Sequence, residues 1–267
     1  MRIGLAQICT GPDLDANLAL VADHTAKAAA DSCDVVVFPE ATMRAFGHNL
    51  TSIAETTDGP WANRVREIAA DHDITVIAGM FTPAPAGERG ERVHNTLLAV
   101  GRGVDTSYHK IHLYDAFGFS ESDTVAPGDT EIQITPDGGL TLGLALCYDV
   151  RFGQLFINHA RAGASASAVP ASWAPGKGKR DQWELLIRAR ALDSTSWILA
   201  CGQADPQASD VDAKPGAPTG IGFSAVVSPT GQIVAQAGPG PELLVADIDD
   251  PTEVREQIPV LRNARLS

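Results

Sequence analysis

The chain has 267 residues, 44% of them hydrophobic and 20% charged, with a formal net charge of −13. That acidity, with no basic stripe, argues against a nucleic-acid partner. No apolar run approaches the roughly 20 residues that span a bilayer, so a membrane partner is not expected either. Cys9, Cys33, Cys147 and Cys201 are scattered, with no CxxC pair, which argues against a zinc site or a disulfide framework. The start "MRIGLAQICT" reads as a strand and lacks the features of a secretory signal, so the expected location is cytoplasmic.

In chain order, the strand "IGLAQI" is followed by a helix over about Ala16–Ala30 and the strand "DVVVFPE". A helix over Pro60–Asp71, with proline at its start, precedes the strands "DITVIAGMF" and "VHNTLLAV". "LTLGLAL" leads to a helix over Phe152–Ala162, and "ASAVPAS" to one over Asp181–Asp193. In the latter Trp183, Leu186, Ile187 and Ala191 share one face at helical spacing, so that face is core. After "SWILACGQ" comes the one long loop, Ala204–Gly220, rich in Pro, Gly, Ala and Asp; such a loop is functional or mobile, and a lid over the site is one role for it. "SAVVSPTGQIVAQ" reads as a hairpin, and "LLVADID" and a short helix after Pro251 close the chain. Strands and helices alternate with no dividing linker, which predicts one layered α/β domain over 1–267 with mixed sheets.

Ligand sites in such proteins gather at the carboxyl ends of strands. "DVVVFPEA" presents Glu40 there. By itself that residue reads as a solvated turn carboxylate; at a cleft mouth it reads as a desolvated general base. "LTLGLALCYDVRF" delivers Cys147 into a polar turn at the expected start of a helix, resembling in outline a nucleophile elbow. In isolation such a cysteine is an inert core residue. Lys110 in "YHKIHLYD" is alone an ordinary solvated lysine. Together the three are coherent, because a thiol nucleophile needs a base for its proton and a positive group for the developing oxyanion.

With these residues in place the sequence resembles the nitrilase superfamily of carbon–nitrogen hydrolases, whose signature is Glu, Lys and Cys in that order. The resemblance runs from "IGLAQ" through "PASWAPGKGKRDQWELLIRARALD" and "GFSAVVSPTGQIVAQAG" to "REQIPVLRNAR". "CYDVRF" is similar to the amidase branch that includes omega-amidase and deaminated-glutathione amidase, whereas true nitrilases typically place Trp-Glu after the cysteine. The family's second glutamate corresponds to Glu121 in "FSESDTVAPGD". The resemblance implies a four-layer αββα sandwich, a homodimer or larger assembly, no cofactor, and a small-molecule amide as substrate. It implies a thioester on Cys147, with the Tyr148 N–H and Lys110 holding the oxyanion. Alternatives on the same scaffold are a nitrile or N-carbamoyl substrate, or a catalytically silent scaffold protein.

The sequence departs from the branch in two places. "KIHLYDAFGFSE" is shorter than the relatives' versions, and "WAPGKGKRDQWE" is more basic. Around the expected pocket, Arg151 reads as a substrate-carboxylate ligand or as the partner of Asp149 or another acid in an ion pair. Trp173 reads as pocket wall or core, and Tyr114 as pocket lining. Lys177, Lys179 and Arg180 form a basic loop that attracts an anionic substrate or is simply solvated. His112 reads as a buttress for the lysine segment. A papain-like pairing of Cys147 with His159 is awkward about three helical turns away. "GRGV" and "GKGK" lack the context of a dinucleotide site, "SDVDAKPG" lacks most ligands of a calcium loop, and the sequon at Asn49 has no use in a cytoplasmic protein.

Overall fold

The structure is a computed structural model describing residues 1–264 except 88, 89, 117, 210, 213 and 215. The strands are β1 (Arg2–Gln7), β2 (Val35–Val37), β3 (Thr75–Gly87), β4 (Gly90–Gly101), β5 (Val104–His109), β6 (Asp115–Ala116) and β7 (Phe119–Ser120). They continue with β8 (Gln133–Ile134), β9 (Leu142–Leu144), β10 (Ala166–Ala171), β11 (Trp197–Gly202), β12 (Ala225–Val227), β13 (Ile233–Gln236) and β14 (Glu242–Asp247). The helices are α1 (Leu14–Ala30), α2 (Pro60–Asp71), α3 (Gly153–Arg161), α4 (Lys179–Ser194), α5 (Thr252–Gln257) and α6 (Val260–Asn263). Among them none is long and apolar enough to cross a membrane.

Two six-stranded sheets form, in the orders β14-β1-β2-β3-β4-β5 and β13-β12-β11-β10-β9-β8. Strand alternation explains how they stack. Val35, Val37, Ile77, Leu97 and Ala99 point from the first sheet into the core shared with the second. Val36, Val76, Ala78 and Leu98 point the other way, onto α1 and α2. The second sheet is covered by α3 and α4, and the expected face of α4 packs onto it: Trp183, Ile187 and Ala191 are fully buried and Leu186 is packed against them. Burying Trp183 or Ile187 stabilises the fold by about 2 kcal/mol each. The result is the four-layer αββα sandwich.

Local signals account for most boundaries. The side chain of Asp13 caps α1 by accepting from the Ala16 N–H at 2.9 Å, so the helix starts earlier than its apolar pattern suggests. The hairpin at Ser228–Gly231 forms as expected, with a register shift at Val226/Val227. Four strands went unread. β5 carries only Val104 and Tyr108 as large apolar residues, because it is the sheet edge. The pair β6/β7 and strand β8 are two residues per strand. The "GRGV" stretch is the β4/β5 turn: Arg102 and Gly103 have φ of 46° and 80°, both central residues being left-handed as a tight hairpin requires.

Within the first sheet β1, β2 and β3 run parallel, and β5, antiparallel to β4, points the same way. β9, β10 and β11 are parallel in the second sheet. The carboxyl ends of β2, β5, β9 and β10 therefore supply the turns that carry Glu40, Lys110, Cys147 and Trp173.

Candidate active site

β2 stops at Val37, and the chain bends through Pro39 to Ala41, which has a left-handed φ of 59°. Gly79 on β3 lets this bend come close: a Cβ there would lie 2.6 Å from the Ala41 nitrogen and 2.9 Å from the Pro39 oxygen. The Gln203 side-chain amide donates to the Glu40 carbonyl at 2.9 Å, and the Met43 N–H to the Gly79 carbonyl at 2.8 Å. Glu40 is thus held rigidly, with its carboxyl turned inward and 1% exposed.

β9 leads to Cys147, which sits at φ 47° and opens a 3-10 turn over Cys147–Arg151. A left-handed residue with a side chain costs on the order of 1 kcal/mol, and something must hold it. Asp149 does so, accepting from the Leu146 N–H at 2.8 Å, the Tyr108 hydroxyl at 2.7 Å and the His112 N–H at 3.0 Å, with His112 Nδ1 at 2.7 Å. Tyr108 lies on β5 and His112 just beyond it, so one buried carboxylate ties the cysteine turn to the lysine segment. His112 is the buttress the sequence suggested, and its ring stacks on Phe152 at 3.6 Å.

Lys110 follows the last residue of β5, rather than sitting within a strand, and its N–H bonds the Asn95 carbonyl at 2.9 Å. Its ammonium donates to Glu40 Oε1 at 3.0 Å and to Glu121 Oε1 and Oε2 at 3.0 and 2.8 Å. Glu121 also accepts from the Tyr114 N–H at 2.6 Å, and Glu40 Oε2 from the Ser172 N–H at 2.8 Å. Asn95, on β4, bridges the two carboxylates by donating to Glu40 Oε1 at 2.8 Å and Glu121 Oε1 at 3.2 Å.

Burial raises Glu40 above the usual carboxylate range, with Lys110 opposing and Glu121 adding to the rise. Burial, then Glu40, pushes the Cys147 thiol well above its ordinary value, against the pull of Lys110. For Lys110 burial works against the charge, but Glu121, Glu40 and Cys147 outweigh it and keep the ammonium protonated. The resting arrangement is a neutral thiol near a base of raised basicity and a fixed cation. Such a set can ionise the thiol at the moment of attack and stabilise negative charge on a nearby oxygen.

The four residues above and Tyr114, Tyr148, Arg151 and Trp173, all singled out from the sequence, line one cavity of about 420 Å³. Trp173 is both wall and core, tilted against Trp183 at 5.3 Å with its Nε1 bonded to the Lys179 carbonyl. The ion pair weighed for Arg151 with Asp149 is not made. Asp149 is committed to the contacts above, and Arg151 donates to Gln182 Oε1 at 2.9 Å. Its guanidinium lies 5.6 and 5.4 Å from the Tyr148 and Trp173 ring centres. Of the basic loop only Lys179 reaches the cavity. Arg180 pairs with Glu184 and covers Phe223, and Lys177 is exposed. His159 packs on Ser167 and against Gly143, away from the cavity lining. Of the Ala204–Gly220 loop, 210, 213 and 215 lie outside the described residues; Pro218 contributes to the cavity wall. Sequence reading missed Asn95, although an asparagine inside the apolar run "VHNTLLAV" was a usable signal of a buried polar role. It also missed the Ser172 N–H, which no side chain could reveal.

Fold and cavity define an α/β sandwich protein of the nitrilase type, with a thiol and two carboxylates meeting over one lysine. The chain belongs to the carbon-nitrogen hydrolase family, whose model matches residues 2–256. It is 54% identical over 271 residues to a Mycobacterium tuberculosis protein named as a hydrolase, covering 98% of this chain and 95% of that one. It is 30% identical over 273 residues to the deaminated glutathione amidase of Escherichia coli O157:H7, covering 100% and 98%. Among solved structures, the Saccharomyces cerevisiae protein Nit3, a member of branch 10 of the nitrilase superfamily, is similar with a TM-score of 0.82 at 26% identity, covering 100% and 97%.

Proposed function

We propose that the protein is a cysteine-dependent amidohydrolase cleaving the C–N bond of a small, carboxylate-bearing amide, of the omega-amidase or deaminated glutathione amidase type. The observation that carries this reading is the elbow: Cys147 in a left-handed turn, lining one cavity with Glu40, and Lys110 between Glu40 and Glu121. In the forward step Glu40 takes the thiol proton and sulfur attacks the amide carbon. Lys110 and the Tyr148 N–H receive the oxyanion. Collapse of the tetrahedral adduct expels ammonia, which leaves with the proton returned by Glu40. Water activated by Glu40 then hydrolyses the thioester. Glu121 and Asn95 keep Lys110 and Glu40 in place throughout. The relative named as an amidase and the cationic Arg151 on the cavity wall support the substrate class.

The test is ammonia release from a panel of omega-amides, 2-oxoglutaramate and deaminated glutathione among them, beside the matching nitrile and N-carbamoyl compounds. For deaminated glutathione the released cysteinyl amine is scored in place of ammonia. Wild-type turnover that falls by about 10⁴-fold or more in Cys147→Ala is expected. Turnover confined to the nitrile or the carbamoyl compound would move the substrate class, and turnover surviving in Cys147→Ala would sink the mechanism.

A further inference from the structure

The two buried carboxylates that meet Lys110 have unequal room for a proton. Seven hydrogen bonds reach the four oxygens of Glu40 and Glu121, and a carboxylate oxygen offers about two acceptor sites. Glu121 Oε1 receives Lys110 and Asn95, and its Oε2 receives Lys110 and the Tyr114 N–H, so Glu121 is full. Glu40 Oε1 is filled in the same way by Lys110 and Asn95. Glu40 Oε2 accepts only from the Ser172 N–H among the described residues, and it keeps an open site.

Asn95 closes two of those sites. It is fully buried on β4, paired with Phe81 on β3, and its carbonyl accepts from the Lys110 N–H. The carboxylates fix its amide orientation, because turning it over would set Oδ1 against both of them. That orientation leaves Oδ1 buried with no hydrogen-bond partner among the described residues. An orphaned buried acceptor is costly, so the two bonds to ionised oxygens have to outweigh it.

We propose that Asn95 is a positioning residue that decides which carboxylate is the base: by filling the Oε1 sites of Glu40 and Glu121, it leaves Glu40 Oε2 as the place for the Cys147 proton. This rests on the amidohydrolase reading above, which supplies the nucleophile. The S–H bond breaks, the proton goes to Glu40 Oε2, and the electron pair stays on sulfur to form the new S–C bond. Lys110 and Asn95 keep their bonds to Oε1 through the step, so the cation stays in place when Glu40 becomes neutral. Without Asn95 a site opens on each Oε1. Glu121 then competes for the proton, and Glu40 loses a donor that favours its charged form.

Alkylation of Cys147 by iodoacetamide across a range of pH tests this without any amide turnover; sulfur displaces iodide, and the modified Cys147 peptide is quantified by mass spectrometry. Wild type is compared with Asn95→Leu, similar in shape with no donor, and Asn95→Ser, which keeps one donor. The expected wild-type acid limb is a one-proton limb above the usual carboxylate range, since burial raises Glu40. In Asn95→Leu it should move up by about one pH unit, read as about ten-fold slower alkylation at a pH on the limb, with Asn95→Ser between. A residue that only supports the fold would lower the urea midpoint and leave the limb where it is. A limb that stays in place or moves to lower pH in a folded variant overturns the proposal. Should neither variant fold, the wild-type limb decides: one proton supports a single open site, and two protons overturn it. A protein whose limb moves as expected but which hydrolyses no amide would lose the amidase reading and keep the role of Asn95.

Discussion

The floor and the rim of the cavity hold the same kinds of charge and treat them in opposite ways. On the floor, Lys110 is fully enclosed and each carboxylate has several donors, so every proton position is fixed. On the rim, Arg151 and Lys179 lie against ring faces at the mouth of the same space. The difference separates two tasks. Bond-making needs charges that are fixed by several partners, whereas selection works through the side chains on the wall that a ligand meets.

The most severe way to break the floor is Lys110→Met. It leaves Glu40 and Glu121 buried without the cation between them, and a buried pair deprived of one partner costs about 3–5 kcal/mol. Turnover should vanish, and the urea midpoint should fall accordingly. A variant as stable as wild type would mean that the carboxylates relax or protonate at no cost, contrary to a rigid floor.

Glu121→Gln is milder because it keeps the shape and the Asn95 contact but removes one charge. A drop in kcat of about 10²-fold is expected from the loosened lysine. The pH profile carries the sharper sign. Glu40 is raised partly by Glu121, and loss of the protonated base's competence sets the acid limb. That limb should lie above the usual carboxylate range in wild type and shift to lower pH in the variant. A shift to higher pH would contradict the assigned sign.

How much of this contrast was readable beforehand follows the same division. Glu40 and Cys147 stand next to strand ends that periodicity finds without knowledge of the partner strands, whereas Lys110 follows the unread edge strand β5 and stood out only through the chemistry the other two require. Glu121 was found through resemblance, since nothing local in "FSESD" marks it. Asn95 acts across β3 and β5 neighbours, and the Ser172 N–H acts from a backbone, so neither could be placed before the sheets were assembled. The rim was least legible: which of Lys177, Lys179 and Arg180 faces the cavity depends on where α4 starts, and it starts two residues before the apolar pattern indicates. The four layers, by contrast, follow from alternation in "VVV" and "TVIAG", where neighbouring residues face helices and the second sheet in turn.

On the rim, Arg151→Met should leave kcat within a few-fold while raising KM about ten-fold for amides that carry a carboxylate. The measurement is steady-state kinetics on the substrate found above. A collapse of kcat with unchanged KM would assign Arg151 to the floor's work and erase the division.

The smallest effect on activity is expected at His159, which belongs to neither region. Its ring is buried, with Nδ1 3.1 Å from Ser167 Oγ, and Nε2 has no partner among the described residues. Burial drives its pKa down to about 4 from the ordinary 6.5, with Asp149 opposing. The unfolded state therefore takes up a proton between those values and the folded state does not. Full stability is present above about pH 6.5 and falls as the pH drops, by about 3 kcal/mol in all by pH 4. His159→Gln should turn over substrate within about two-fold of wild type and lose less stability between pH 6.5 and 4. Chemical denaturation at several pH values reads the second effect and ammonia release the first. A large loss of turnover at full stability would make His159 a partner of Cys147, and the floor would then need an imidazole as well as its two carboxylates.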